Sequence, residues 1–441
     1  MFTLPNDTFL TVELLSKMIM KFYSNVVPKL QTYKDYYDGN QPILQKYYDD
    51  PTKPCNRIVT NYCQDITDAY CGYIASPGYI SYNSEQDIDD IMDVLNYNDY
   101  QEEDSSFLLD ALKVGVAAEL MYIDGDAKVR FRTIDPLSCF GVYDNTLSGD
   151  LRYFVRIYQA NEWDNSINYC VDVYDDKEVT HYNMAGKNGQ LTLLSQSRHY
   201  FSQVPANIFY LPDEKSVFDA IMGLQDAANT ILSDEVDDYS AFCDAYFALI
   251  GIDPTDENIE QIALMKQNRT LVLPEGSTAT WLTKNATDTQ VENILKRIHD
   301  NIYRIAKCPD FSSETFVGGV SSGIAIRYRL TGMETKAAMI AAAMKKALQR
   351  RIEIICGVES LKLGEEVFRD IDISFTRNIP EDNTSIVNLV NALKGTVSDA
   401  TLLAQIPFVK DVQAELDAIS AQKKENMSLY WGSDLTQEDN E

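Results

Sequence analysis

The stretch that decides the fold is Asp288-Thr-Gln-Val-Glu-Asn-Ile-Leu-Lys-Arg-Ile-His-Asp-Asn-Ile-Tyr-Arg-Ile-Ala-Lys307, followed after a short interval by a second long run that ends at Cys356-Gly357. Val291, Ile294, Leu295, Ile298, Ile302 and Ile305 recur at steps of three and four, the period of one helical face. Asp288 and Thr289 suit the N-terminal end of that helix, and Pro309 stops it. From about Ser322 to Cys356 there is no proline, and an apolar stripe runs through Met333, Ala337, Ile340, Met344, Ala347 and Ile355. At about 1.5 Å per residue this second helix reaches ~50 Å. Between the two lies Phe311-Ser-Ser-Glu-Thr-Phe-Val-Gly-Gly-Val-Ser-Ser-Gly323, too rich in Gly and Ser for a strand and read here as a mobile tip between two rods. Gly318, Gly319 and Gly323 invite comparison with a phosphate-binding loop. That motif needs Lys-Ser/Thr after its last glycine, and Ile324-Ala-Ile stands there instead.

Working outward, the chain of 441 residues is long enough for two or three domains, and 45% apolar residues exclude a disordered protein. The formal net charge is −29, with the acids spread along the chain. Such a surface repels DNA and anionic lipid at range, which disfavours binding through a basic patch. The 8 cysteines form no CxxC or CxH pair and read as reduced, mostly buried residues. Only His181, His199 and His299 are present, which leaves little for a zinc site or a histidine-dependent nucleophile, and His299 reads as solvated surface. The start Met1-Phe-Thr-Leu-Pro-Asn-Asp-Thr has neither a basic nor an apolar character, and no apolar run approaches the ~20 residues of a membrane span. A protein made and used in the cytoplasm is expected.

On the N-terminal side, the pattern gives an amphipathic helix from Leu10 to Phe22 and a Tyr-rich helix closed at Gly39. A further helix then leads into the turn Ser76-Pro-Gly and a strand. An acidic helix (Asp87 to Tyr97) and another from Asn98 to Val116 follow. Asp124-Gly125 marks a hairpin, and alternating stretches continue through Leu151–Tyr158 and on to Leu194, which predicts an antiparallel sheet with helices beside it: an α+β domain. Lys215 to about Ala245 returns to helical period, with Phe218, Ile221, Leu224, Ala228, Ile231 and Leu232 as its apolar side. Asp234, Glu235, Asp237 and Asp238 near its end are expected to face water or a neighbouring chain. Residues 246–285 form an insert too small for its own core, and Phe368–Phe375 alternates as a strand. Short helices follow, and the polar tail from Asn426 is expected to be disordered.

No hydrolase, zincin, Walker or kinase signature is present. Acid pairs such as Asp87/Asp89, Asp124/Asp126 and Asp237/Asp238 admit a metal-dependent phosphodiesterase or nucleotidyltransferase as a rival reading. With 67 acids in the chain, however, close pairs arise by chance, and these sit in charged runs or a hairpin turn. Elimination favours an assembly protein.

Taken in order, several stretches resemble the portal proteins of tailed bacteriophages, in the branch found in long-tailed phages of Gram-positive hosts. They are Tyr36-Tyr-Asp-Gly with Pro42-Ile; Asn56-Arg-Ile-Val-Thr-Asn-Tyr with Gly72-Tyr-Ile; and Gly115 to Tyr122 with Phe131-Arg-Thr-Ile-Asp-Pro and Val142-Tyr-Asp. Asp226 to Ser233 leading to Asp244-Ala-Tyr, Ile302-Tyr-Arg-Ile-Ala-Lys-Cys-Pro-Asp with Ser322-Gly-Ile-Ala-Ile-Arg, and Leu393-Lys-Gly-Thr-Val-Ser with Ile406-Pro-Phe-Val-Lys-Asp complete the series. The usual Gly-Lys-Pro after the second stretch is replaced by Ala75-Ser-Pro-Gly.

The resemblance implies a portal fold: a wing from residues 1–214 and 324–400, stem helices at 215–245 and 288–308, a clip at 246–287, a tunnel loop at 309–323, and a helical crown and tail at 401–441. It further implies a dodecameric ring at one capsid vertex that passes double-stranded DNA during packaging and ejection. The partners implied are the large terminase, a head-completion or adaptor protein, and the major capsid and scaffolding proteins. The expected location is the virion, after assembly in the host cytoplasm, with no membrane, cofactor, metal or catalytic residue involved. The residues expected to face DNA are Phe311, Thr315, Phe316, Val317, Gly318, Gly319, Ser321 and Ser322, with Arg327, Arg329 and Lys336 as phosphate contacts.

Overall fold

A computed structural model describes residues 2–50, 53–159, 168–186, 190–242, 246–250, 278–282, 288–313, 323–358, 367–377, 390–403, 412–413 and 415–423. The chain divides into two compact units, Met1–Asp310 with Gly332–Arg377, and Phe311–Thr331 with Asn378–Glu441.

The first unit opens with strand β1 (Phe2–Leu4) and helix α1 (Val12–Lys21), whose N-cap Thr11 accepts a hydrogen bond from the Leu14 N–H at 3.3 Å. A π-turn at Phe22–Val26 joins α1 to α2 (Val27–Tyr37); α3 (Tyr62–Ala75), strand β2 (Ile80–Asn83), α4 (Asp89–Tyr97) and α5 (Tyr100–Val114) follow. Gly115 ends α5 at φ +88°, and a Cβ there would lie 2.7 Å from the Lys215 nitrogen, so only glycine fits. Next come β3 (Val116–Ile123), β4 (Val129–Ile134), β5 (Cys139–Asp144), β6 (Leu151–Gln159), β7 (Asn168–Tyr174), β8 (Glu178–Ala185), β9 (Leu191–Arg198) and β10 (Ala206–Tyr210).

The expected α+β character is present, but the sheet is divided. One sheet runs β1-β5-β6-β7-β8-β9 and the other β10-β3-β4. The hairpin at Asp124-Gly125 thus belongs to the smaller sheet, where β10, which the sequence pattern did not mark, pairs with β3. Asp124 closes the turn by accepting from the N–H groups of Asp126 (3.0 Å) and Lys128 (2.9 Å), a structural use of that acid pair. β1 adds to β5 in parallel, the exception in an otherwise antiparallel meander. Leu15, Ile19 and Phe22 of the first helical stretch cover Val142, Val155, Ile157 and Val171 on one face of the larger sheet. Phe154 on the opposite face packs with Ala118, Leu120 and Ala206 of the smaller sheet.

After β10 come α6 (Met222–Phe242), strands β11 (Tyr246–Ile250) and β12 (Thr278–Leu282), which pair antiparallel, and α7 (Asp288–Ala306). Helix α8 (Gly323–Cys356) has 34 residues. Its Arg351 is wholly buried, with Nε 3.0 and 2.9 Å from the Glu119 carboxylate oxygens and Nη1 bonded to Asp104. Burial raises the Asp104 carboxyl against the pull of that guanidinium, and Tyr82 donates to Asp104 at 2.9 Å. Strand β13 (Asp372–Phe375) pairs with β2, so the late chain completes a sheet begun near the start. In the second unit a short helix α9 (Asp399–Leu403) and a helical stretch at 415–423 are described. No helix among the described residues is long and apolar enough to cross a membrane.

Candidate functional site

Helices α6 and α7, which flank residues 243–287 in the chain, are each fastened by named side chains. On α6 the buried line is Gln225, Asn229, Ser233 and Asp237, four residues apart each time. Opposite it runs the irregular segment Asn56–Asn61, continued by Tyr62 at the start of α3. The N–H groups of Asn56, Ile58, Thr60 and Tyr62 donate in turn to Asp237 Oδ1 (2.6 Å), Ser233 Oγ (3.0 Å), Asn229 Oδ1 (2.9 Å) and Gln225 Oε1 (3.0 Å). Alternate residues of an extended chain are about 6.6 Å apart, and helical residues four apart are about 6 Å apart, so the two periods almost match. Side chains of unequal length, Gln, Asn, Ser and Asp, take up the remainder. The result is a side-chain ladder that supplies acceptors to a half-buried backbone segment lacking a sheet partner.

The same ladder is closed by further bonds. Gln225 donates to the Thr60 carbonyl, Thr60 Oγ1 donates to Asn229 Oδ1 at 3.0 Å, and Asn229 Nδ2 donates to Gln41 Oε1. At its end the Lys46 ammonium lies 2.5 Å from Asp237 and 2.7 Å from Asp234. Burial alone would raise the Asp237 carboxyl, but Lys46 and the two Asn56 donors outweigh it and hold it below the usual carboxylate range. From α2, Tyr33 donates to Asp219 at 2.5 Å and Tyr36 to Asp226 at 2.7 Å.

Two expectations are corrected here. Asp237 is buried and ion-paired rather than turned to water, because it is the last rung; Asp234 and Asp238 are exposed as expected. Phe218, Ile221 and Ala228 of the expected apolar side are buried, but Leu224, Ile231 and Leu232 are only half-buried, and the line Gln225, Asn229, Ser233 and Asp237 that α6 turns inward is polar. The missed signal was Gln225-x3-Asn229-x3-Ser233-x3-Asp237, polar residues at helical spacing.

Helix α7 is held at its C-terminal end. Tyr70, wholly buried on α3, donates to the Ala306 (2.9 Å) and Lys307 (3.2 Å) carbonyls, acceptors that the helix end leaves unpaired. Lys307 then turns the chain with φ +56°. Tyr303 donates to Asp65 at 2.8 Å. His299 is half-buried, its ring 4.9 Å from Tyr303 and 5.8 Å from Tyr62, with Nε2 3.6 Å from Asp310. It belongs to an aromatic and acidic cluster, not to the solvated face expected. Ile302 is wholly buried, but Ile294 and Ile305 are 47% and 43% exposed, so the apolar face of α7 is covered only in part.

Of the residues expected at the tip, Phe311 is described and 45% exposed. Thr315, Phe316, Val317, Gly318, Gly319, Ser321 and Ser322 lie outside the described residues. Arg327 and Arg329 are exposed in the first turns of α8. Lys336 lies elsewhere than the tip surface: its Nζ donates to the Val217 carbonyl at 3.0 Å and sits 5.2 Å over the Tyr70 ring. Burial pushes its ammonium down to about 8, with Lys307 adding to the effect. An inward lysine so committed is not poised for phosphate. Among the described residues no group of three or more His, Cys, Asp or Glu is arranged to hold a metal ion.

A family model described as phage portal protein, SPP1 Gp6-like, matches residues 20–429, a range that contains the ladder, the α7 fastening and α8. The chain belongs to that family. A curated portal protein, from Bacillus phage SPP1, is 27% identical over 213 residues, 47% of this chain and 41% of that protein. The chain therefore spans about two fifths of the length of the curated relative it matches. Within this portal-family chain, the stretches Asn56–Tyr62 and Asp226–Ser233, noted separately in the sequence, are the two sides of one ladder.

Proposed function

We propose that the chain is the subunit of a dodecameric ring that replaces one capsid vertex, conducts double-stranded DNA during packaging and ejection, and docks the packaging motor and the tail connector. The observation that carries this reading is the family match over residues 20–429. In this reading residues 1–214 and 324–400 form the wing, α6 and α7 lie in the stem (215–245 and 288–308), and 246–287 is the clip. Residues 309–323 form the tunnel loop, and 401–441 the crown and tail. The large terminase and a head-completion or adaptor protein engage the clip, and the capsid and scaffolding proteins surround the ring.

The acidic composition serves such a channel, because a wall that repels phosphate does not hold passing DNA in a fixed register. Phe311, Thr315, Phe316 and Val317 supply weak, adaptable contacts, and Gly318 and Gly319 let the loop shift with the duplex. In this reading Arg327 and Arg329, exposed in the first turns of α8, meet phosphate. The test is packaging into capsid precursors built with this chain as their portal. Nuclease-protected DNA that depends on the chain and on the motor is expected, and equal protection without the chain overturns the reading. Replacing Gly318 and Gly319 together by alanine is expected to lower packaging severalfold while leaving ring assembly intact.

A further inference from the structure

The outward faces of α6 and α7 carry opposite charge. On α7, Lys296, Arg297 and Arg304 are exposed and fall within about 100° of one another around the helix, and the exposed Lys307 follows its last turn. Among the described residues none of the four enters a salt bridge; Arg304 donates to Asn301 Oδ1 at 2.7 Å. Glu292 and Asp300 share this side, so it is net basic in a chain whose formal charge is −29. On α6, Asp234 and Asp238 are exposed and Glu235 is half-buried, again within about 100°, with the Lys46 ammonium beside Asp234. Ile294 and Ile305 of α7, 47% and 43% exposed, and Val236 and Tyr239 of α6, 37% and 73% exposed, add apolar surface next to these charges.

The geometry points to a head-to-tail contact between copies of this chain, in which the basic face of α7 on one copy meets the acidic face of α6 on the next. Two different faces that complement each other make a heterologous interface, the kind that closes into a ring. Opposite charges across it fix register, and like charges in the same place oppose binding. The partly covered apolar residues beside them exclude water when the faces meet. This inference rests on the ring reading above and deepens it by naming the surfaces.

The test uses two double variants of the full chain, K296E with R304E on α7, and E235K with D238K on α6. None of the four is a rung of the ladder or a fastening of α7, and the melting curve of each variant, set beside that of the wild type, separates a lost interface from a lost fold. Each alone is expected to raise the concentration needed for assembly by about tenfold or more. An equimolar mixture of the two should restore rings in which the variants alternate, because each reversed face then meets its complement. Wild-type rings together with variants that assemble equally well overturn the interface alone, as does a mixture that fails to rescue. A wild-type chain that stays monomeric under assembling conditions overturns the ring reading, and the interface with it.

Discussion

Helices α6 and α7 belong to the same compact unit yet are fastened by opposite chemistry. α6 turns Gln225, Asn229, Ser233 and Asp237 inward and is held by hydrogen bonds to an irregular strap. α7 turns Ile302 and Ala306 inward and is held by packing and by the Tyr70 cap on its last carbonyls. Hydrophobic burial is non-directional and tolerates small shifts, whereas a four-rung ladder permits one register. The difference teaches that α6 is the indexed element, set against the rest of the unit residue by residue. α7 is located by its C-terminal end and leaves its apolar face partly free.

Substitutions separate these modes. The largest effect is expected for Ile302→Ala, which removes a wholly buried side chain from α7 and should cost about 3 kcal/mol, read from the urea midpoint. Asn229→Ala should cost about 2 kcal/mol, because it leaves the buried Gln41 amide oxygen and the half-buried Thr60 N–H without their partner. Its sharper signature is local: amide exchange at Ile58, Thr60 and Tyr62 should accelerate while α7 stays protected, and uniform acceleration would erase the distinction between the helices. Asp237 gives a pH test. Its folded carboxyl lies below the usual range, so its contribution is present above the unfolded value near 4 and is lost as pH falls through the folded value. The gap in urea midpoint between wild type and Asp237→Asn should therefore be widest near neutral pH and narrow below about pH 4. The smallest effect is expected for Ile294→Ser, within about 0.5 kcal/mol for the isolated chain, because that side chain is 47% exposed. A large loss there would mean that the face is already covered within one copy.

Much of this was legible in the sequence. Apolar periodicity located α7 and α8, Asp124-Gly125 located its hairpin, and the order of short stretches pointed to the portal family that the family match bears out. The α+β class was legible because alternation and helical period occupy separate stretches. The division into two sheets was not, since β10 is short and its pairing with β3 joins residues some ninety positions apart, which local pattern does not encode. The ladder escaped for a related reason: hydrophobic period finds buried faces only when they are apolar, and α6 buries amides and a carboxylate. The inward position of Lys336, expected at the tip as a phosphate contact, is not legible from local sequence. The Val217 carbonyl and the Tyr70 ring that hold it are over a hundred residues away in the chain.

The central claim is that this chain forms a ring that DNA can pass through. The most direct measurement is the native mass of the purified 49.9 kDa chain, joined to averaged electron-microscope images of the same fraction. A species of about 600 kDa is expected for twelve 49.9 kDa chains, with a central opening wider than the ~20 Å duplex. A compact dimer that also cleaves phosphodiesters with added Mg²⁺ or Mn²⁺ would contradict it.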